Sequence, residues 1–156
     1  MISHKILSIG LFAVLLLVAA IQVLPYGKIN DVVIPDSRGI AFEQGSWEQV
    51  VQKAKSGKKP IFLDVYATWC GPCKLLRTVT FPNKKLGAYY NEHFVNVSID
   101  AETPEGRKIA NLYGVSAYPS LLYLDSDGTV IAGATGCQYP GKLLEIGKAA
   151  YENFSP

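Results

Sequence analysis

The chain has 156 residues, which is enough for one folded domain and a short additional segment. Its formal net charge of +2 and the lack of a long basic run in the sequence argue against a nucleic-acid partner. Its three cysteines are too few for a small scaffold held together by disulfides.

An apolar stretch, residues 6–24, follows a short polar start. About 20 apolar residues span a bilayer as a helix, whereas a cleaved signal peptide usually has a shorter apolar core. We therefore expect residues 1–24 to form a signal anchor, with a signal peptide cleaved after Ala20 as the alternative. Lys5 and the amino-terminal charge before this stretch predict that the amino terminus lies in the cytoplasm. The folded domain would then lie on the periplasmic side of the inner membrane, or free in the periplasm after cleavage.

Residues 25–37 carry Pro, Gly, Asn and Asp without a regular period, which predicts a linker before a folded domain over residues 38–156. Residues 39–43, Gly-Ile-Ala-Phe-Glu, alternate small and large side chains and predict a first strand. Ser46 and Gln49 have the spacing of a capping box and predict the start of a helix.

The next run, residues 61–66, is almost entirely apolar, as expected of a central strand covered on both faces. Asp64 interrupts this run. A buried carboxylate that is charged and unpaired costs several kcal/mol. We therefore expect the pKa of Asp64 to be raised.

Cys70 and Cys73 form a Cys-Gly-Pro-Cys motif where this strand gives way to a predicted helix. Such a junction is typical of a redox site, because the N–H groups at a helix start stabilise an anion and only a thiolate attacks a disulfide. The same spacing can supply half of a zinc site. No second pair follows, however, and His4 and His93 lie in unrelated segments. The motif favours a redox dithiol with no metal and no other cofactor.

The rest of the chain continues this alternation of strands and helices. Pro82 should break the helix that follows Cys73. The later elements are predicted as a helix over 84–91, a strand over 94–100, a helix over 105–113, a hairpin of 120–124 and 129–134, and a helix over 140–151. The order β-α-β-α-β-α-β-β-α predicts an α/β domain with a mixed central sheet and helices on both faces.

Several of these features together resemble the thioredoxin family over residues 39–153. They are the motif of residues 69–74, Asp64 six residues before the first cysteine, the Tyr118-Pro119 pair and Gly136. The chain is most similar to membrane-tethered or exported thioredoxins and to the C-terminal domain of the thiol-reductant transporter DsbD. This resemblance implies a thioredoxin-like fold.

The resemblance also implies a thiol:disulfide oxidoreductase in which Cys70 attacks a substrate disulfide and Cys73 releases the product. It places Asp64 beneath Cys73, where we expect the carboxylate to take the proton of the Cys73 thiol. The alternative is an Asp that only pairs with backbone N–H groups. The resemblance further implies that the Tyr118-Pro119 bond is cis.

The resemblance implies a surface around the cysteine pair that contacts the substrate. Its residues are Trp69, Gly71, Pro72, Tyr118, Pro119, Gly136 and Cys137. Cys137 is either a small apolar residue in a surface patch or a third thiol that can be modified or can exchange with the other two. Thioredoxins commonly carry a Lys where this chain has Asn96, so a charge partner of Asp64 is missing.

The Gly-Pro pair resembles that of reducing thioredoxins, so we expect a protein-disulfide reductase with extracytoplasmic protein substrates. A reductant outside the cytoplasm needs electrons from across the membrane, and a donor of the DsbD kind is expected by analogy. A disulfide oxidase or isomerase is one alternative. A thiol-based metal carrier that uses Cys70, Cys73 and Cys137 is another, and a docking subunit with incidental cysteines is a third.

Overall fold

The computed structural model describes residues 39–155. The predicted anchor over residues 1–24 and the linker over residues 25–37 lie outside this range, so both stay predictions. Within the described range, no helix combines the length and the apolar character that a membrane crossing requires.

Strands and helices alternate through the described part of the chain. In chain order they are α1 (Trp47–Gly57), β1 (Ile61–Tyr66), α2 (Gly71–Leu75), a π-helical segment (Leu76–Thr80), α3 (Lys84–His93), β2 (Val95–Asp100), α4 (Pro104–Leu112), β3 (Ser120–Leu124), β4 (Val130–Thr135) and α5 (Pro140–Glu152). The predicted bounds after residue 46 agree with these to within a few residues. The capping box of Ser46 and Gln49 is also present at the start of α1.

The four strands form one mixed sheet in the order β2-β1-β3-β4. Strands β1 and β2 are parallel, whereas β3 runs antiparallel to both β1 and β4. Alternate residues of β1 point to opposite faces. Leu63 therefore packs in a core with α1 and α4, and Phe62 packs in a second core with the π-helical segment, α3 and α5. The mixed sheet with helices on both faces is as predicted.

The prediction of a strand over residues 39–43 is wrong, because this segment does not join the sheet. Its one backbone bond to β2 runs from the Glu43 N–H to the Asn96 carbonyl, at 2.8 Å. The Ile40 N–H donates to the Phe81 carbonyl at 2.8 Å. Side-chain amides bind the backbone of Ala41: Asn91 accepts from its N–H at 2.8 Å, and Asn96 donates to its carbonyl at 3.2 Å. Side chains thus replace the ladder that a strand would have formed.

The helix that carries the cysteines continues into the π-helical segment and ends before Pro82. The Phe81-Pro82 stretch breaks the helix, as predicted, and Asn83 caps α3 by accepting a bond from the Leu86 N–H at 3.0 Å. The Thr80 hydroxyl donates to the Gln138 carbonyl at 2.7 Å. This bond ties the end of the cysteine helix to the segment before α5.

We predict that Asn91→Ala destabilises the domain by about 1–3 kcal/mol, because it removes the acceptor of the Ala41 N–H and the donor to the Gly39 carbonyl. Urea unfolding followed by circular dichroism measures the change. Asn111→Ala, at an exposed position of α4, is the matched control and should change the free energy of unfolding by less than about 0.5 kcal/mol. Equal losses in the two variants would contradict the role given to Asn91.

Candidate active site

Cys70 and Cys73 lie at the start of α2 and are joined by a disulfide, with sulfur atoms 2.10 Å and Cα atoms 5.3 Å apart. Cys70 is the N-cap residue of this helix. The Cys73 N–H donates a hydrogen bond to the Cys70 Sγ at 3.2 Å. This N–H has no carbonyl partner within the helix, because it lies in the first turn, and it points at the sulfur of the first cysteine. After reduction it would favour the thiolate form of Cys70.

The two residues between the cysteines allow this tight arrangement. Pro72 lies in the first turn of α2, where its missing N–H costs no hydrogen bond and its fixed φ suits the helix. Gly71 and Pro72 are both exposed, whereas the two cysteines are 4% and 3% exposed. The surface over the disulfide is therefore largely backbone and proline ring.

Trp69 and Tyr118 form an aromatic rim beside the disulfide. Their ring centroids are 6.0 Å apart in an edge-to-face arrangement, and Trp69 is 68% exposed. The Tyr118-Pro119 peptide bond is cis, as the resemblance implied. The Gly136 N–H donates to the Pro119 carbonyl at 2.8 Å, so Gly136 is held next to the same turn.

Glu102, in the turn after β2, holds Trp69 in place. Its carboxylate accepts bonds from the Trp69 Nε1–H at 3.0 Å and from the Thr68 hydroxyl at 2.6 Å. The Thr68 bond is the main reason that the pKa of Glu102 is lowered. The sequence carried no signal for this residue, because Glu102 comes 33 positions after Trp69 and belongs to no recognised motif.

Asp64 is buried in β1, at 1% exposure. It shares a strand face with Phe62, which packs against the π-helical segment just beyond Cys73. Burial raises the pKa of Asp64 to about 6, against the opposing effects of a Ser98 hydrogen bond and the Arg77 charge. A carboxyl group with such a pKa can exchange a proton near neutral pH.

Arg77 supplies the positive charge that Asn96 does not. It lies one turn beyond Cys73, and its guanidinium carbon is 3.5 Å from the centre of the Tyr66 ring. Its charge is among the causes that lower the pKa of Asp64. The four-residue spacing from Cys73 to Arg77 was the available sequence signal, since it puts both on one face of a helix.

Cys137 lies apart from the cluster of the other two cysteines. It packs instead against the core that contains Phe62, and burial raises the pKa of its thiol. Within residues 39–155 it is a free cysteine that is half-buried. In the same residues, no group of three or more His, Cys, Asp or Glu side chains is arranged to bind a metal.

A mixed α/β sheet with a Cys-x-x-Cys disulfide at a helix start, facing a cis-proline, defines a thioredoxin-like thiol-disulfide oxidoreductase. The chain belongs to this family: residues 47–150 match the family model described as thioredoxin-like domain.

Solved structures agree in fold. A candidate disulphide-isomerase from Bacteroides thetaiotaomicron is 39% identical, covers 74% of this chain and 95% of its own, and has a TM-score of 0.66. The oxidised C-terminal domain of DsbD from Neisseria meningitidis is 26% identical, covers 66% of this chain and 90% of its own, and has a TM-score of 0.57. The chain is thus similar over most of its length to complete thioredoxin-like domains.

Curated relatives are matched over a smaller part of their own length. DsbD of Ralstonia nicotianae is 24% identical over 99 residues, which is 60% of this chain and 16% of that protein. A thioredoxin of Borreliella burgdorferi is 33% identical over 72 residues, which is 46% of this chain and 57% of that protein. The chain therefore spans less than two thirds of either relative.

We predict that Glu102→Ala raises KM for a protein disulfide about fivefold, because Trp69 would then have to be ordered on binding. The rate with a small aromatic disulfide should stay unchanged. Steady-state kinetics measure KM and this rate. The near-ultraviolet circular dichroism, in which the contribution of Trp47 should not change, reports the loss of order at Trp69. Glu92→Ala, at an exposed position near the end of α3, is the control. An unaltered KM together with an unaltered Trp69 spectrum would contradict the role of Glu102.

We predict that Asp64→Asn stabilises the oxidised protein at pH 7. Because the folded pKa of about 6 exceeds the ordinary 3.8, the protonated carboxyl favours folding below about pH 4, and this contribution is lost as the pH rises through 6. The variant should be more stable by up to about 3 kcal/mol at pH 7 and nearly equal at pH 3.5. Urea unfolding across this range measures the difference, with Asp127→Asn as an exposed control. A constant difference at all pH values would be inconsistent with a raised pKa.

Proposed function

We propose that this protein reduces disulfides of extracytoplasmic proteins, with Cys70 as the nucleophile and Cys73 as the resolving thiol. The hydrogen bond from the Cys73 N–H to the Cys70 sulfur is the observation that carries the proposal. It marks Cys70 as the sulfur whose ionised form the helix start stabilises.

The reaction has two steps. The Cys70 thiolate attacks one sulfur of the substrate disulfide, which forms a mixed disulfide and releases the other substrate sulfur as a thiolate. Cys73 then loses its proton and attacks the Cys70 sulfur, which releases the second substrate thiolate and leaves the Cys70–Cys73 disulfide. Two electrons pass from the protein to the substrate, and the structure corresponds to the oxidised product.

Asp64 is the proposed acceptor of the Cys73 proton. Its Oδ1 has no hydrogen-bond partner within the described part of the chain, and its pKa of about 6 leaves it mostly ionised at pH 7. The strand face that carries Asp64 also carries Phe62, which packs against the π-helical segment directly after the helix of Cys73. Transfer through one water molecule would suffice.

The proposed substrate surface is the aromatic rim with the turn beside it. Trp69 and Tyr118 offer an apolar contact, while Gly71, Pro72 and Gly136 leave room for an extended substrate backbone. Cys137 packs into the core beyond Gly136. It would contribute at most the edge of this surface.

The proposed direction and location rest on sequence and on relatives. The Gly-Pro pair resembles reducing thioredoxins, and DsbD relatives are described as thiol:disulfide interchange proteins. The apolar residues 6–24 support an inner-membrane anchor with the domain in the periplasm, or a periplasmic protein after cleavage. We propose a membrane electron donor of the DsbD kind and oxidised exported proteins as substrates.

Disulfide isomerisation is a second candidate, because the 39%-identical structure from Bacteroides thetaiotaomicron is described as a candidate isomerase. An isomerase uses a higher potential, around −180 mV against about −270 mV for thioredoxin. A thiol-based metal carrier is not favoured by any observation, since no third ligand accompanies Cys70 and Cys73 in residues 39–155.

We predict a reduction potential below about −240 mV for the Cys70–Cys73 pair, measured by equilibration with glutathione or a thioredoxin of known potential. A Cys73→Ser variant should accumulate mixed disulfides through Cys70 in cells, because its resolving thiol is missing. Cys137→Ser should accumulate none. A potential near −180 to −120 mV would point to isomerisation or oxidation instead.

A further inference from the structure

Ser98 contacts the buried carboxyl group directly. Strands β1 and β2 are in a register that places Ser98 opposite Asp64, and both side chains lie on the same face of the sheet. The Ser98 hydroxyl donates to the Asp64 Oδ2 at 2.7 Å. Ser98 is half-buried, whereas Asp64 is almost completely buried.

A groove of about 580 Å³ runs along the outer edge of β2 and reaches Ser98. Tyr66 and Arg77 line it, as do residues 40 and 42–45 of the segment before α1. Ser98 therefore has Asp64 on one side and the solvent of this groove on the other.

The groove is separate from the proposed substrate surface. None of the residues proposed to contact substrate, such as Trp69 or Tyr118, lines it. A protein substrate that is joined to Cys70 by the mixed disulfide and covers the aromatic rim would leave the groove open. Asp64 would then keep its contact with Ser98, which lines the open groove.

We propose that Ser98 is a positioning residue through which Asp64 exchanges its proton with solvent in the groove along β2. The inference rests on the proposed function, in which Asp64 receives the Cys73 proton. When Asp64 is ionised, the Ser98 O–H donates to its Oδ2, as observed. When Asp64 is protonated, its O–H bond breaks as its proton passes to Ser98 Oγ, and the Ser98 proton passes to water in the groove. No net charge remains on Ser98.

The charges around this path suit proton release. Arg77, from the π-helical segment, favours the ionised carboxylate, and three acidic residues, Glu43, Asp100 and Glu105, line the same groove. Strand β3 places the apolar Leu121 opposite Asp64 and so contributes no charge. Asn96, the neighbour of Ser98 on the same strand face, is turned away to hold the Ala41 carbonyl.

The test follows the carboxylic-acid band of Asp64 by infrared spectroscopy on the full oxidised chain at pH 5, where the group is mostly protonated. After rapid dilution into D₂O, the deuterium shift of this band gives the rate of proton exchange. The wild type should exchange at least about tenfold faster than Ser98→Ala, because removal of the hydroxyl closes the path. Ser98→Thr keeps the hydroxyl and should restore the fast exchange. The band is assigned by its loss in Asp64→Asn.

Equal exchange rates in the wild type and Ser98→Ala would overturn the proposal. So would slow exchange in Ser98→Thr, because only packing at residue 98 would then matter. If Ser98→Ala raises the pKa of Asp64 but does not slow its proton exchange, Ser98 is only a hydrogen-bond partner of Asp64. That result would also overturn the proposal.

A second measurement separates this inference from the proposed function. Stopped-flow tryptophan fluorescence, in which Trp69 is the tryptophan beside the cysteine pair, gives the rate of the resolving step at saturating insulin. If Asp64→Asn resolves as fast as the wild type, the proposed role of Asp64 fails while the exchange result stands. If Asp64→Asn is slow, Ser98→Ala should slow turnover about threefold or more, and the double variant should match Asp64→Asn.

Discussion

The hydrogen bond from the Cys73 N–H to the Cys70 sulfur is the interaction on which the rest of this structure depends. It requires a helix that begins directly at Cys70, and Gly71 and Pro72 permit that start. Strand β1, in the interior of the sheet, leads directly into this helix. Tyr118, which precedes the cis bond to Pro119, packs against the cysteine pair. A sulfur held this way is nucleophilic because the helix start stabilises its anion.

The buried carboxyl group imposes the second constraint. Asp64 would be costly in an apolar sheet as a charged group, and its raised pKa is the consequence. The Ser98 hydroxyl and the Arg77 cation partly stabilise the ionised carboxylate. Asn96 does not contact it and instead binds the segment before α1. Because the segment before α1 does not pair with β2 as a strand, the groove beside Ser98 stays open to solvent. A complete first strand at this edge would have narrowed the access of water to Ser98.

Much of this arrangement could be predicted because it depends on local pattern. The Cys-Gly-Pro-Cys motif, the apolar run with Asp64 and the break at Pro82 are each visible in a few adjacent residues. The first strand was predicted wrongly, since alternation over residues 39–43 does not reveal that Asn91 satisfies their backbone groups. Three residues lie about 10–35 positions from their partners in the sequence: Glu102 from Trp69, and Arg77 and Ser98 from Asp64. Only the folded chain brings each of them to its partner.

The acidity of the Cys70 thiol in the reduced protein tests the central claim most directly. The rate of alkylation by iodoacetamide, followed by mass spectrometry as a function of pH, gives the pKa of each thiol, and Cys137 is the control within the same chain. The account predicts a pKa below about 7.5 for Cys70, against about 8.5 for an ordinary cysteine, and a raised pKa for Cys137. A Cys70 pKa at or above the ordinary value would contradict it.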